Sequence, residues 1–505
     1  MGKHFLVGVD IGAGSLKTMV ISSDGAVHGA ATRNIETHSP HPGWSEQDPQ
    51  DWWDALCRTA PEAMAKAGVT NREIAGIAFS AGAHTPVLVD RNGKILRPAI
   101  LWSDGRSGEE ARELEANHGE EILAIGLNRP APTWTQPQLL WLARHEPEVL
   151  REARRLYVAK DWLRSQLTGT WETDHTEALG TLLFDGRANE WSERLCGMIG
   201  FDPALLPPLV TPTTVVGAVS RQAAEATGFA NDTPVVCGSS DTSVEAFGTG
   251  ATRPGRGTIK LATAAAVSVV AKAPCIDPTL INYPFCVPGL WYTLGATNSC
   301  ASAHRWLGNC FYSAGNDNPD AIFAKMDEMA SEVPPGARGL LFHPYLQGER
   351  TPHWDPLLRA DFVGMTFEHD RRHFVRAMYE GIAFSVRDVL EQLRAKGLGL
   401  SEATIIGGGS KSATWRQIVA DILGLTVSMP RVTDASYGAA LIAGVGVGVF
   451  NSEVEAAESA LDIQARHEPS AAHAGVYDEL YGLYRETALA LKPVNHRLSK
   501  LHRTN

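Results

Sequence analysis

The chain has 505 residues, too many for a single hydrophobic core, and this length predicts two or three domains. Its 44% hydrophobic and 20% charged residues are typical of soluble globular proteins, and the net charge of -12 excludes a general electrostatic attraction to nucleic acid or anionic membranes. No apolar run reaches the ~18 residues that a membrane span needs. The seven scattered cysteines form no C-x-x-C pair, which favours reduced thiols in a cytoplasmic protein over a disulfide framework or a zinc site.

The first half of the chain begins with three predicted strands. Residues 5–10 and 16–22 are joined by "IGAGS", and "SSDG" predicts a turn into a third strand at 26–32. Amphipathic patterns predict helices at 50–67, 107–125, 136–146 and 160–167. Two further apolar runs, "IAGIAFSAG" (74–82) and "TPVVCGSSD" (233–241), are typical of buried strands.

A comparable pattern begins again after "RPGRG". Apolar runs predict strands at 258–270, 290–297, 339–346 and 361–367. Long helices at 371–396 and 412–424 surround a glycine-rich segment at 403–410. The two halves therefore predict an α/β fold of two similar lobes, divided near residue 250, and a cleft between such lobes is the expected ligand site.

The segment "VGVDIGAGSLKTMVI" places an acid, a glycine turn and a lysine at the end of the first strand. Gly12 would let backbone N–H groups approach phosphate oxygens, and Ser15 lies just beyond it. Asp10 could hold a hydrated magnesium ion, and Lys17 could supply positive charge. The segment is not a Walker loop, because no G-x-x-x-x-G-K-[ST] occurs. The alternative interpretation is an ordinary hairpin with a capping aspartate.

A second glycine turn lies in "IIGGGSKSATWRQIVADILG" (405–424). There a predicted strand ends in Gly407, Gly408 and Gly409, and Ser410 opens an amphipathic helix. Backbone groups at such a helix entrance bind anions or the edge of a nucleotide, although a tight strand-to-helix turn also uses glycine. Thr263, in "LATAAAVS", could contact a phosphate from a turn between small residues, or that segment could simply be a close-packed strand.

The motif "CGSSDTS" (237–243) puts Asp241 among small neutral residues after a buried strand. An acid there is exposed, paired at long range, or catalytic. His84, Trp102 and Asp104 also lie near predicted strand ends, where each could touch a substrate or serve the structure. Together, two glycine turns and strand-end acids fit phosphoryl transfer from a magnesium nucleotide, with Asp241 as the carboxylate that takes the proton of the acceptor hydroxyl.

These segments together resemble the FGGY family of carbohydrate kinases, and the xylulokinases and related pentulose kinases most of all. The resemblance runs in order along nearly the whole chain, through "GVDIGAGSLK", "GWSEQDPQDWW", "LWSDGRS", "KDWLRSQLTG", "TDHTEALGTLLFD", "GSSDTS", "PYLQGERTPHWDP", "GGGSKSATWRQIVADILGL" and "DASYGAALIAGVG". It implies two ribonuclease H-like lobes of the actin/hexokinase ATPase type. The lobe at 1–250 would carry the sugar site and the base, and the lobe at 251–505 would bind the nucleotide.

The resemblance also implies a role for each matching residue. Asp241 would be the catalytic base, and Asp10 and Asp241 would organise Mg2+. The residues beside the nucleotide would be Gly12, Ser15, Lys17, Thr263, Gly407, Gly408, Gly409 and Ser410. The residues around the sugar would be His84, Trp102, Asp104, Asp241 and Thr242. The implied reaction is the ATP-dependent phosphorylation of a ketopentose such as xylulose in the cytoplasm, with ATP and Mg2+ as cofactors, no nucleic acid or membrane partner, and a homodimer as an option.

Three departures from the xylulokinase pattern leave other functions open. Those enzymes usually read S-G-Q-M-H where this chain reads "SAGAH" (80–84), and Asp-Asn where it has Asp241-Thr242. They also read L-G-T-S-G where this chain reads "LATAA" (261–265). The alternatives are a kinase of another ketose or a polyol, a non-catalytic sugar or nucleotide sensor, and, with the least support, a structural actin-like polymer.

Overall fold

The computed structural model describes residues 5–312 and 319–501, which are organised by two large mixed sheets. The strands of the first sheet lie in the order Val215–Ala218, Pro234–Val236, Ile74–Ala81, Phe5–Ile11, Ser15–Ser22 and Val27–Asn34. Those of the second lie in the order Ile281–Pro284, Trp291–Ala296, Ala265–Ala271, Arg256–Leu261, Glu402–Ile406, Val427–Pro430 and Ile463–His467. In both sheets an antiparallel hairpin continues into a parallel neighbour, so the predicted fold of two similar α/β lobes is confirmed.

Helices and short strand pairs surround the two sheets. The α-helices are Pro49–Ala67, Gly108–Gly126, Thr135–His145, Pro147–Glu152, Ala159–Thr168, His175–Gly180, Glu193–Gly197, Arg221–Thr227, Asp241–Gly248, Ala301–Tyr312, Pro319–Ser331, Arg371–Ala395, Ala413–Leu423, Ala435–Gly446, Glu453–Ser459 and Ala471–Leu501. The short pairs are Glu46–Gln47 with Ala99–Ile100, Pro86–Val89 with Arg155–Val158, Thr173–Asp174 with Leu209–Val210, Phe184–Asp185 with Glu190–Trp191, and Leu341–His343 with Asp361–Val363. None of the helices within 5–312 and 319–501 is both long and apolar enough to cross a bilayer.

The first sheet is covered on both faces because its central strands carry apolar residues on both sides. In the strand Phe5–Ile11, Val7 and Val9 face the cluster that contains Trp52, whereas Leu6 faces a different cluster. Side chains alternate between the faces of a strand, so a run without polar residues requires cover on both sides.

A helix from the second half of the chain provides part of that cover. Ala435–Gly446 lies directly on the first sheet, where a Cβ on Gly8 would be 1.8 Å from the carbonyl oxygen of Ser436. On its other side it meets the helix Asp241–Gly248, where a Cβ on Gly438 would be 1.9 Å from the carbonyl oxygen of Val244. The chain therefore returns to the first lobe near its end, and the boundary near residue 250 remains a proposal.

The predicted strands and helices lie close to where the sequence placed them, with two main differences, although ten of the sixteen helices listed above were not predicted. The run 258–270 is a hairpin of two strands, with its turn at 262–264. The strand predicted at 361–367 ends at Val363, because Gly364 takes a left-handed φ of 91° and passes close to the carbonyl oxygen of Gly339.

Candidate active site

Asp10 lies near the carboxyl end of the strand Phe5–Ile11, between the neighbouring strands that carry Lys17 and Ser80. The hydroxyl Oγ of Ser80 donates a hydrogen bond to Asp10 Oδ1 at 2.7 Å. Burial raises the pKa of Asp10 well above its usual range, and the nearby carboxylate of Asp241 raises it further. The structure thus brings together two acids that the sequence separates by more than 200 residues.

Asp241 is the first residue of the helix Asp241–Gly248 and follows a tight turn. In that turn Gly238 has a φ of 77°, and a Cβ there would lie 1.8 Å from the carbonyl oxygen of Phe79. The backbone N–H and the hydroxyl of Thr242 both donate to Asp241 Oδ1, at 2.6 and 3.0 Å. Among the described residues no hydrogen-bond donor is recorded for Oδ2, so this oxygen can accept a proton from a ligand.

Two ion pairs lie close to these acids, and one of them joins residues 417 positions apart in the chain. Lys17 Nζ lies 2.6 Å from Asp434 Oδ2, and Lys260 Nζ lies 2.6 Å from Glu245 Oε2. Burial raises the pKa of Glu245 despite its lysine, and the carboxylate of Asp241 adds to that rise. Burial alone would lower the pKa of Lys260, but Glu245 and Asp241 together raise it.

The centre of the cleft is therefore short of positive charge. The carboxylates of Asp434 and Glu245 both add to the raised pKa of Asp10, so four acids act on one another here, with two lysines between them. If all six groups are ionised, two negative charges remain in excess. Carboxylates held this close in a low-dielectric site repel one another unless a cation joins them.

The donor set fits a magnesium ion that arrives with a nucleotide. Mg2+ prefers oxygen ligands and usually takes one or two carboxylates together with phosphate oxygens and waters. Asp10 and Asp241 would supply such oxygens, and their mutual repulsion is what a divalent cation would relieve. Within the described part of the chain, no three His, Cys, Asp or Glu side chains form a ready-made metal cage.

The first glycine turn is compact and partly open. The backbone N–H of Gly12 donates to the carbonyl oxygen of Ser15 at 2.8 Å, which closes the turn between the first two strands. A Cβ on Gly14 would meet nothing within 4 Å, so one side of the turn is open. This turn begins two residues after Asp10, so a phosphate bound there would lie near the predicted magnesium ligand.

In the second glycine turn, two of the three glycines are needed because neighbouring residues pack closely against the backbone. A Cβ on Gly407 would lie 2.6 Å from the carbonyl oxygen of Leu261, and one on Gly409 would lie 2.9 Å from the ring of Trp415. Gly408 alone faces open space, and the hydroxyl of Ser410 donates to the carbonyl oxygen of Gly407 at 2.7 Å. Close packing therefore accounts for two of the three glycines, and Gly408 is the one with room for a ligand.

Thr263 lies exposed at the tip of the second lobe's hairpin, next to that glycine turn. Its carbonyl oxygen accepts from the backbone N–H of Ser302 at 3.2 Å, beside the helix Ala301–Tyr312. Neither Ala262 nor Ala265 is among the residues with positive φ. Alanine therefore fits both positions without left-handed strain, even though related kinases usually have glycine there.

His84 belongs to a buried aromatic wall that both halves of the chain build. Its ring stacks on Trp134 with centroids 4.2 Å apart, and its Nε2 lies 2.5 Å from the hydroxyl of Tyr283. Tyr283 in turn stacks on Tyr292 at 5.3 Å. Burial lowers the pKa of His84 to about 3, so the imidazole is neutral at physiological pH. The sequence offered no motif for Trp134 or Tyr283, and both were missed.

Trp102 lines a shallow, open hollow that begins beside Gly12. The indole is 45% exposed and lies so close to Gly82 that a Cβ there would be 2.8 Å from its Cδ1 atom. A larger residue at position 82 would clash with the indole, so glycine leaves the space that the Trp102 ring occupies. An exposed aromatic face at the rim of a pocket is well suited to stack on a sugar ring or carbon chain.

Asp104 is placed differently, since it is buried and fully engaged. Its carboxylate faces the guanidinium of Arg106, with Nε at 2.9 Å and Nη2 at 2.7 Å, and accepts from the backbone N–H of Ser45 at 2.5 Å. Arg106 also lies over the ring of Trp44 at 3.7 Å. These contacts hold the loop that carries Trp102, so we assign Asp104 to the support of that loop.

A fully buried ionic network lies behind the turn that leads to Asp241. Lys160 Nζ is 2.7 Å from Asp161 Oδ1 and 3.0 Å from Asp174 Oδ1, and none of these side chains is exposed. The other oxygen of Asp174 accepts from the hydroxyl of Ser239 at 2.7 Å. Cys237 is also bound to this network, because Arg164 Nη1 donates a hydrogen bond to its sulfur at 3.1 Å. The turn at 237–240 is thus fixed at both ends before the helix begins.

Comparison with known proteins identifies the family. Residues 5–248 match the N-terminal domain of the FGGY family of carbohydrate kinases, and residues 257–447 match its C-terminal domain. The chain belongs to the FGGY family. The xylulose kinase of Bacillus subtilis (strain 168) is 31% identical over 99% of both chains, and the gluconokinase of the same organism is 26% identical over 95% of this chain and 94% of its own. The crystal structure of the xylulose kinase of Rhodospirillum rubrum superimposes with a TM-score of 0.91 at 31% identity, over 97% of this chain and 100% of that one.

The match confirms the carbohydrate kinase and its two-lobed, actin-like ATPase fold. Kinases of this family use ATP and act on sugars, so a sugar substrate and ATP are implied for this kinase as well. The two B. subtilis relatives act on different compounds by name, and an identity near 31% does not fix the acceptor. The individual site residues remain predictions.

Proposed function

We propose that this kinase transfers the γ-phosphoryl group of ATP to a hydroxyl of a small ketose, most of all a ketopentose such as xylulose. The observation that carries the proposal is the free oxygen of Asp241, a carboxylate whose charge acts both on Asp10 and on Tyr283, the tyrosine that contacts His84. The name of the B. subtilis xylulose kinase supports the acceptor, and that of the gluconokinase keeps a different acceptor open.

In this mechanism the sugar lies against the first lobe, with the exposed face of Trp102 at the pocket mouth. Asp241 accepts the proton of the attacking hydroxyl through Oδ2, while Thr242 holds Oδ1. Phosphoryl transfer needs mainly positioning and electrostatic stabilisation, which Lys17, Lys260 and the backbone of the turn at Gly12 can supply. Mg2+, held by Asp10 and Asp241, would neutralise charge on the phosphates. Closure of the lobes would exclude the water that otherwise hydrolyses ATP.

We place the reaction in the cytoplasm, where ATP is available and where the seven free cysteines of the chain stay reduced. The alternative acceptors are other ketoses and polyols. The sensor hypothesis rested on the alanines at 262 and 265 and on the altered sugar contacts. The alanines fit their turn without backbone strain, so only the altered sugar contacts still support it.

The test is ADP release from magnesium ATP with a panel of ketopentoses, aldopentoses, ketohexoses, tetruloses and polyols. One acceptor should give turnover, and Asp241→Asn should fold normally but lose about 10³-fold or more of it, since positioned acid–base groups contribute factors up to ~10⁴. Near-normal turnover in Asp241→Asn would remove this residue from the role of base. Turnover of a hexulose or a polyol alone would replace the ketopentose by that class.

A further inference from the structure

Glu177 is a buried carboxyl group without a partner. Its side chain is 0% exposed, and neither Oε1 nor Oε2 has a hydrogen-bond partner among the described residues. Buried polar atoms in folded proteins are nearly always hydrogen-bonded, and leaving one unpaired costs free energy. Two unpaired oxygens on one side chain therefore need an explanation.

The position of Glu177 in its helix directs it towards the aromatic wall. It lies three residues before Gly180 in the short helix His175–Gly180, and residues three apart share a helix face. At Gly180 a Cβ would lie 2.6 Å from His84 Cδ2 and 3.6 Å from Tyr283 Cε1. Glu177 therefore lies on the same helix face as Gly180, and that face packs against His84, the predicted sugar contact.

The charges around Glu177 agree with this position. Burial raises the pKa of Glu177 well above its usual range, Lys160 counteracts the rise, and the carboxylates of Asp174, Asp161 and Asp241 add to it. Burial also raises the pKa of Tyr283, with Glu177 and then Asp241 as the further causes. The charge of Glu177 therefore interacts both with Lys160 and with Tyr283, the tyrosine that contacts His84.

The cations nearest to Glu177 are already paired with other carboxylates. Lys160 and Arg164 pair with Asp161, Asp174 and Glu172, at 2.7 to 3.3 Å. Lys160 therefore offsets the charge of Glu177 only in part, and the protonated carboxyl group is favoured there. In that state it can donate one hydrogen bond and accept another, so it can pair with hydroxyl groups of a ligand in either role.

We propose that Glu177 binds the acceptor, with its carboxyl group bridging two hydroxyl groups on adjacent carbons of the sugar or polyol. The inference rests on the proposed function and deepens it, because it names a specificity-determining residue of the same site. A site built to hydrogen-bond a substrate hydroxyl discriminates strongly against compounds that lack it, since its own polar group is then left unpaired.

Glu380 offers a matched control, because it is an equally buried glutamate with all its partners present. Its Oε1 faces Arg376 Nε at 2.6 Å and accepts from the hydroxyl of Tyr477 at 2.8 Å and from the backbone N–H of Gly336 at 2.9 Å. Glu380→Met should lower the melting temperature of the full-length kinase by several degrees and leave the KM for the acceptor unchanged. Glu177→Met should instead leave the melting temperature unchanged or higher and raise the KM for the acceptor.

The experiment measures melting temperature without ligands, and KM for ATP and for D-xylulose, or for the panel compound with the highest turnover. For Glu177→Met we expect an unchanged or higher melting temperature, a KM for the acceptor at least tenfold higher, and a KM for ATP within twofold of the wild type. Glu177→Gln, which can still donate and accept, should recover part of the acceptor affinity.

The outcomes separate this inference from the proposed function. If the wild-type kinase phosphorylates an acceptor and Glu177→Met lowers the melting temperature with an unchanged acceptor KM, Glu177 is structural and the inference is wrong. If the wild type phosphorylates no compound of the panel, the proposed function fails, and this inference fails with it.

Discussion

Two buried groups of charges lie on either side of the turn at 237–240, and they differ in how well their charges are matched. Behind the turn, the two cations Lys160 and Arg164 meet the carboxylates of Asp161 and Asp174, all with 0% side-chain exposure. In front of it, in the cleft, four carboxylates meet two lysines, and each lysine is about one-third exposed. In the first group both aspartates are paired with buried cations, and the group holds the turn in place. The second is incomplete without a cation, as expected of a site for a magnesium nucleotide.

The largest effect should come from removing a charge from the matched group. Lys160→Met leaves the buried carboxylate of Asp174 without a cation and that of Asp161 with Arg164 alone, and breaking such a buried pair costs about 3–5 kcal/mol in the free energy of unfolding. Lys260→Met, in the cleft, removes a lysine whose side chain is 35% exposed and should cost about 1 kcal/mol or less. Urea unfolding of both variants measures the difference. Equal losses in the free energy of unfolding would show that the buried lysine and the cleft lysine contribute equally to stability.

The same comparison predicts that a charge removed from the cleft reduces activity but not stability. Asp10→Asn removes one of four mutually repelling carboxylates, so the free energy of unfolding should stay the same or rise. Turnover should fall by about 10²-fold or more, the usual cost of losing one electrostatic contact to the transition state. ADP release and urea unfolding of this variant provide both values. A loss of stability like that of Lys160→Met would mean that Asp10 is part of the scaffold.

The sequence predicted the parts of the cleft that are local in the chain. Asp10, Gly12 and Asp241 stand at strand ends in short recognisable motifs, so their positions followed from the elements around them. The pair Lys17–Asp434 joins residues 417 positions apart, and no local pattern specifies that contact. Conversely, Gly407 and Gly409 suggested a ligand, whereas the structure explains them by the close approach of Leu261 and Trp415. Glu177 was missed because one glutamate in a polar segment differs from a surface residue only in its burial.

His84 is a third kind of buried ionisable group, neutral and without any countercharge, and it should make stability depend on pH. The unfolded chain takes up a proton near the usual pKa of 6.5, whereas the folded state does so only near the lowered pKa of about 3. Its contribution is therefore present above pH 6.5 and is lost as the pH falls towards 3. Between pH 7 and pH 5, the wild type should lose about 2 kcal/mol relative to His84→Gln.

Urea unfolding of both proteins at several pH values between 5 and 7 tests this expectation. The direct effect of the substitution is a constant offset, and only the change of the difference with pH reports on the imidazole. Parallel curves would mean that His84 takes up a proton as readily in the folded state as in the unfolded chain, and its stacking on Trp134 would then need a countercharge at low pH.

The smallest effect should come from Thr242, whose hydroxyl is one of two donors that hold the carboxylate of Asp241. Thr242→Ala keeps the backbone N–H bond at 2.6 Å and loses only the hydroxyl bond at 3.0 Å. A single hydrogen bond to a charged group contributes about 1.5 kcal/mol or more, so kcat should fall roughly tenfold while the KM for ATP is unchanged. Thr242→Ser, which retains the hydroxyl, should keep most of the activity. A large rise in the KM for the acceptor, without a change in kcat, would instead place the Thr242 hydroxyl on the sugar, because a contact made equally in the ground and transition states affects binding alone.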